Sequence, residues 1–265
     1  YRDILKIIFF DDINRISDNH LKNFNLGIIN NKDKSMKVVI LAGGFGTRIA
    51  EAAGPKPMVE IGGKPILYHI MKYYEAWGYN EFILALGYKA NLIKSTFSKF
   101  KFNVTYVDTG LKTMTGGRLK RLKKHLKNER FMLTYGDGVA NVDLKKLLNT
   151  HIKYKKLATV TAVHPPARFG EIIIKNNKVA EFNEKTKSKS QWINGGFFVF
   201  EPEVLDYIKN DNSILEGEPL TKLSKNKNLV AFRHEKFWQC MDTMKDKNFL
   251  ENLWRKNPPW KIWND

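Results

Sequence analysis

Short, nearly unbroken apolar runs recur along the chain, separated by stretches whose apolar residues stand three and four apart. "KVVILAG" from Lys37, "NEFILALGY" from Asn80, "RFMLTYGDG" from Arg130, "LATVTAV" from Leu157 and "WINGGFFVFE" from Trp192 hold such runs. A strand covered on both faces reads as a continuous apolar run, whereas a half-wet strand alternates. These segments therefore predict strands within a layered fold. "ILYHIMKYYEAWG" has helical spacing and ends at Gly78, a helix with a glycine stop. The basic stretch "GRLKRLKKHLKN" predicts another helix, the residues near "EVLDYI" a third, and Lys245 to Arg255 a last one. "NVTYVDTG" and "LVAFRH" add strands, and "EIIIKNNKVAEF" reads as a hairpin. Strands alternating with helices over the first half predict an α/β fold: a mixed, mostly parallel sheet with helices on both faces and antiparallel additions in the C-terminal half. No internal repeat is evident.

Residues 1–35 stand apart. They end in the polar "NNKDKS" just before the strand that opens at Met36, and are expected to be an N-terminal extension to a domain spanning 36–265.

With 265 residues, 43% of them hydrophobic, the chain can bury a full core. No segment approaches the roughly 18 to 20 apolar residues that span a bilayer, and no secretory leader is legible. The single cysteine, Cys240, excludes an internal disulfide and a cysteine metal cluster, which suits a cytoplasmic protein. A net charge of +18 admits nucleic acid, acidic membrane or small anions as partners. Only nine of the 45 basic residues are arginine, and lysines scattered as in "SKNKNL" and "KTKSKS" read as a solvated surface. No nucleic-acid-binding motif appears, so neither nucleic acid nor membrane is expected as a partner.

Candidate chemistry begins behind the first strand, in "LAGGFGTR". Glycines there let backbone N–H groups approach phosphate oxygens, although a tight turn uses the same residues. The dinucleotide fingerprint fails, since Ile49 stands at its sixth place, and no Gly-Lys-Ser/Thr closes a P-loop. Arg48 and Lys56 add fixed cations close by. Asp137 in "TYGDG" ends a strand, where open α/β sheets place their sites. Asp242 in "WQCMDT" offers a second carboxylate, and two carboxylates with phosphate oxygens suit Mg²⁺. No nucleophile–histidine set stands out; His69 reads as a structural histidine on a helix and His164 as a loop residue.

"LAGGFGTR" followed by "PKPMVEIGGKPIL" resembles the signature of the sugar nucleotidyltransferases. "MTGGRLKR", "YGDGVA", "INGGFFVF" and "FWQCMDTMKDKNFLENLW" are similar to the cytidylyltransferase branch that acts on glucose 1-phosphate. The resemblance covers most of Met36 to Trp263. It implies a Rossmann-like nucleotidyltransferase fold and Mg²⁺-dependent transfer of a cytidylyl group from CTP, releasing pyrophosphate; UTP, dTTP or GTP with another sugar phosphate is the alternative. Homo-oligomerisation is likewise implied, as is a place in nucleotide-sugar supply for polysaccharides such as O-antigen.

The resemblance also assigns roles. Leu41, Ala42, Gly43, Gly44, Phe45, Gly46, Thr47 and Arg48 would wrap the nucleotide, with Arg48 on its phosphates and Lys56 on the α-phosphate. Thr113, Arg118 and Gly136 would surround it. Asp137 and Asp242 would hold the metal, Glu184 and Lys185 the sugar and its phosphate, and Asn194 would face the sugar. Four departures are visible. The spacing from Arg48 to Lys56 is short, the chain passes from "STFSKFKF" straight into "NVTYVDTG", Thr186 stands where the family has proline after Glu-Lys, and Cys240 replaces a frequent proline.

Overall fold

The computed structural model describes residues 36–45, 54–126, 128–166, 170–183 and 191–264. In chain order its strands are β1 (Lys37–Leu41), the two-residue β2 (Glu60–Ile61) and β3 (Lys64–Pro65), β4 (Glu81–Leu86), β5 (Asn103–Asp108), β6 (Phe131–Tyr135), β7 (Gly138–Ala140), β8 (Ala158–Val163), β9 (Glu171–Lys175), β10 (Lys178–Asn183), β11 (Ile193–Phe200), β12 (Leu229–His234) and β13 (Trp238–Cys240). The helices are α1 (Ile66–Ala76), α2 (Ala90–Phe97), α3 (Thr115–Arg121), α4 (Lys123–Leu126), α5 (Leu144–Tyr154), α6 (Glu218–Lys225) and α7 (Met244–Lys256).

Seven strands make one sheet in the order β12-β8-β11-β6-β1-β4-β5. Only β11 runs against its neighbours; the other pairings in this sheet are parallel. The alternation along β1 shows why it is apolar from Val38 to Leu41. Val38 and Ile40 enter a core shared with α1, α2 and α5, while Val39 and Leu41 enter the opposite core with Leu119 of α3, Leu126 of α4 and Leu223 of α6. Full burial of each such side chain contributes about 1.5–3 kcal/mol, so both faces demand cover. The expected layering is therefore observed.

Two expected helices differ in form. The basic stretch breaks into α3 and α4 at Leu122, whose N–H bonds back to Leu119, a tighter i→i−3 turn. Around "EVLDYI" the chain makes a 3₁₀ helix, Pro202–Tyr207. The expected hairpin is present as β9 and β10. At the C-terminus, Trp260 is buried beside His69 of α1 and stacks on Phe237. His69 Nε2–H donates to the Ile61 carbonyl at 2.8 Å, and burial lowers its pKa, which makes it a neutral core histidine. No helix among the described residues is long and apolar enough to cross a membrane.

Successive connections leave β1 toward β4 and β5 on one side and return to β6 on the other. The carboxyl ends of β1 and β6 thus flank the switch point, where an open α/β sheet has its crevice.

Candidate active site

A cavity of about 440 Å³ opens at that switch point. Leu41, Ala42, Gly43, Gly44 and Phe45 line one wall, Thr113 and Arg118 another, and Lys56, Gly136 and Asp137 the base. Ten of the residues assigned from sequence thus share one space. Gly46, Thr47, Arg48, Glu184 and Lys185 lie outside the described residues. Leu111, Lys112, Met114, Thr115, Pro57 and Tyr135 also line the cavity, and sequence reasoning had not singled them out.

Arg118 organises this pocket from beneath. It is only 4% exposed, and its guanidinium donates to the carbonyls of Gly43 (2.8 Å), Leu86 (3.0 Å) and Gly110 (2.8 Å) and to Thr109 Oγ1 (2.7 Å). One cation therefore ties together the carboxyl ends of β1, β4 and β5. A Cβ on Gly43 would fall 2.3 Å from Arg118 Nη1, so glycine there makes room for the arginine.

The paired glycines of "MTGGRLKR" have a separate cause. A Cβ on Gly116 would lie 2.7 Å from the Ser213 carbonyl oxygen, and one on Gly117 2.4 Å from that of Asp211. The first turn of α3 is pressed against the 211–215 loop, which leaves no room for a side chain.

Lys56 and two aspartates meet at the cavity floor. The ammonium lies 2.6 Å from Asp242 Oδ1 and 3.3 Å from Asp137 Oδ2, with both carboxylates about a quarter exposed. A local scaffold brings them together. Asp137 follows β6, β7 pairs antiparallel with β13, and Met241 N–H donates to the Asp137 carbonyl at 2.8 Å. Asp242 is steadied by its N–H bond to Asp246, which also completes the α7 capping box with Thr243.

Burial alone would lower the Lys56 pKa, but Asp137 and Asp242 outweigh it and raise it. Burial raises the Asp137 carboxyl, and Lys56 only partly offsets this. Cys240, with Sγ 3.6 Å from Asp242, is pushed up to about 12 by burial and the neighbouring aspartates, so it remains a neutral thiol.

Two carboxylates directed at one positive centre fit a divalent cation, with the lysine ammonium as its stand-in. The described residues contain no group of three or more His, Cys, Asp or Glu side chains that would complete a protein-only cage. Such a cation would take its remaining oxygens from substrate phosphates and water, the habit of Mg²⁺.

On the far side of Tyr135, Asn194 of β11 accepts the Gly196 N–H at 2.8 Å and donates to the Tyr135 hydroxyl at 3.2 Å. Gly196 has φ +77°, and a Cβ there would lie 2.5 Å from the Tyr135 ring. The Tyr135 hydroxyl in turn donates to Glu216, which also receives the Thr115 hydroxyl at 2.7 Å. Glu216 stands 81 residues from Tyr135, too far apart for a local pattern to reveal the pair. His164 stacks on Trp192, with ring centroids 3.9 Å apart.

The chain matches known proteins along this whole arrangement. The "Nucleotidyl transferase" family model matches residues 37–265. The glucose-1-phosphate cytidylyltransferase of Salmonella typhimurium is 48% identical over 256 residues, covering 86% of this chain and 100% of that protein. Since 86% of 265 residues is fewer than 256, this chain has gaps where that relative has residues. A probable glucose-1-phosphate cytidylyltransferase of Bacillus subtilis is 40% identical over 255 residues, with 86% and 100% coverage. Among solved structures, HddC from Yersinia pseudotuberculosis complexed with GMP-PN superposes with a TM-score of 0.67 at 28% identity, covering 82% of this chain and 98% of that one. With both the family signature and its floor of lysine and aspartates in place, the chain belongs to the nucleotidyl transferase family.

Proposed function

We propose that the protein transfers a cytidylyl group from CTP to glucose 1-phosphate, giving CDP-glucose and pyrophosphate with Mg²⁺ as cofactor. The observation that carries this reading is the convergence of Lys56, Asp137 and Asp242 at the floor of a cavity walled by the glycine loop. The choice of base and sugar follows the relatives at 48% and 40% identity.

The acceptor's phosphate oxygen attacks the α-phosphorus as pyrophosphate departs from the opposite side. This nucleophile is already ionised at neutral pH, so no general base is required. The obstacle is the approach of two polyanions, and positioning with fixed positive charge answers it. Leu41 to Arg48 wrap the triphosphate, Lys56 meets the α-phosphate, and Thr113 and Gly136 bound the nucleoside, with Arg118 holding their segments in place. Glu184, Lys185 and Asn194 receive the sugar phosphate. Asp137 and Asp242 would hold Mg²⁺, which would supply positive charge against the triphosphate oxygens.

Residues 36–265 act in this reading as the catalytic domain, in a cytoplasmic homo-oligomer. A second reading keeps the chemistry and changes the base, because the chain is shortened around Lys56 and before β5. The test is pyrophosphate release with CTP, UTP, dTTP and GTP, each crossed against several sugar 1-phosphates. The highest kcat/KM for CTP with glucose 1-phosphate supports the first reading, and a different best pair supports the second.

A further inference from the structure

Glu216 presents a physical puzzle. It is an exposed carboxylate beside a cavity read as binding two polyanions, where its charge opposes the phosphates. Both of its oxygens are nevertheless engaged, one by the Tyr135 hydroxyl and the other by Thr115 Oγ1 at 2.7 Å. Thr115 accepts in turn from the Leu215 N–H at 2.9 Å, so its own proton is committed to Glu216.

The consequence lies in hydrogen-bond polarity. An ionised carboxylate only accepts, so the Tyr135 O–H proton must point at Glu216. The lone pairs of that hydroxyl are then left for donors, and Asn194 Nδ2 occupies one of them at 3.2 Å. Asn194 Oδ1 is taken by the Gly196 N–H, so the amide has a single orientation. Among the described residues no other acceptor takes its second Nδ2 hydrogen, which remains for a ligand. The Tyr135 ring is itself fixed against Gly196, and it walls the main cavity from a smaller recess lined by Gly195, Trp238 and Cys240.

We propose that Glu216 is a positioning residue for the acceptor: by taking the Tyr135 proton it fixes the Asn194 amide, whose remaining N–H donates to a hydroxyl oxygen of the sugar phosphate. This rests on the reading of Asn194 as an acceptor-side residue.

Leucine at 216 offers no acceptor to Tyr135 or Thr115, whereas glutamine would keep a carbonyl oxygen for Tyr135. Kinetics on Glu216→Leu, Tyr135→Phe and the double variant test the proposal. A net uncharged hydrogen bond is worth about 0.5–1.5 kcal/mol, so KM for glucose 1-phosphate should rise roughly two- to tenfold in each single variant. KM for the nucleoside triphosphate should move less than KM for the sugar. The double variant should be no worse than the poorer single one, since both break the same relay. Equal effects on both KM values, or multiplying effects in the double variant, would overturn the proposal. If wild type prefers another sugar 1-phosphate, the same comparison is made with that sugar, which separates a wrong substrate from a wrong role for Glu216. Absence of turnover with every sugar 1-phosphate would overturn the functional reading, and this proposal with it.

Discussion

The Lys56 ammonium sits between Asp242, at 2.6 Å, and Asp137, at 3.3 Å, with its positive charge in the place that a metal ion bound by these carboxylates would take. In the proposed mechanism lysine and metal would therefore compete for the aspartates until the α-phosphate offered the ammonium another partner. Removing the ammonium should free the pair: in Lys56→Met, Mn²⁺ measured by titration calorimetry without nucleotide should bind on the order of tenfold more tightly. Turnover should fall strongly in the same variant, because the α-phosphate loses its cation. Unchanged or weaker Mn²⁺ binding would separate Lys56 from the metal site.

The contact between α3 and the 211–215 loop predicts a sharp response at Gly117. Alanine there would place a methyl 2.4 Å from the Asp211 carbonyl oxygen, a backbone atom with little freedom to retreat. The cost should be about 1–3 kcal/mol, read as a lower melting temperature. Thr113, Met114 and Thr115 belong to the same segment and line the cavity, so KM for the triphosphate should rise as well. A variant as stable as wild type would mean that the loop moves easily.

Just past β11, at the end of the strands opposite the site, Glu201 accepts from Arg130 Nε at 2.8 Å and faces His151 Nε2 at 3.1 Å. Burial would raise its pKa, but the hydrogen bonds from His151 and Arg130 win and hold it below the ordinary glutamate value. A carboxyl depressed in the folded state stabilises above its unfolded pKa, and that stability is lost as pH falls through the folded value. Glu201→Gln should therefore melt lower at pH 7, by roughly 4–8 °C for a loss of about 2 kcal/mol. The gap to wild type should narrow below about pH 4.5. Activity of the folded variant should persist, because the triad lies far from the cavity. A gap that is constant with pH would assign the effect to packing.

The strand of the family signature opens at Lys37, where the family match also begins. A protein starting at Met36 should fold cooperatively and react like the full chain, with melting curves and turnover as the measurements. Insolubility of the shorter protein would give the first 35 residues a structural role.

What the sequence revealed and what it hid follow from range. The runs at β1, β4 and β6 were legible because both their faces are buried, and Lys56, Asp137 and Asp242 because the resemblance carries them as short motifs. Helices α2, α5 and α6 were not singled out. Before α2, Lys89 adopts φ 50° with no side-chain cap, so nothing local announces the start. The α5 start was readable in retrospect, since Asp143 caps it by accepting the Lys146 N–H at 2.8 Å. Glu216 and the crowding of Gly116 and Gly117 depend on the 211–216 loop folding back over α3, about a hundred residues away in sequence. Spacing rules cannot register such contacts.

Incubating wild type and Asp242→Asn with CTP, glucose 1-phosphate and Mg²⁺, and measuring CDP-glucose by mass together with pyrophosphate, decides whether the protein is a metal-dependent cytidylyltransferase. Wild type should form the two products in equal amounts, only when both substrates and the divalent cation are present, and Asp242→Asn should retain under about a hundredth of that rate while still unfolding cooperatively. Pyrophosphate release that does not depend on a sugar 1-phosphate, or near-normal product formation by Asp242→Asn at limiting Mg²⁺, would contradict it.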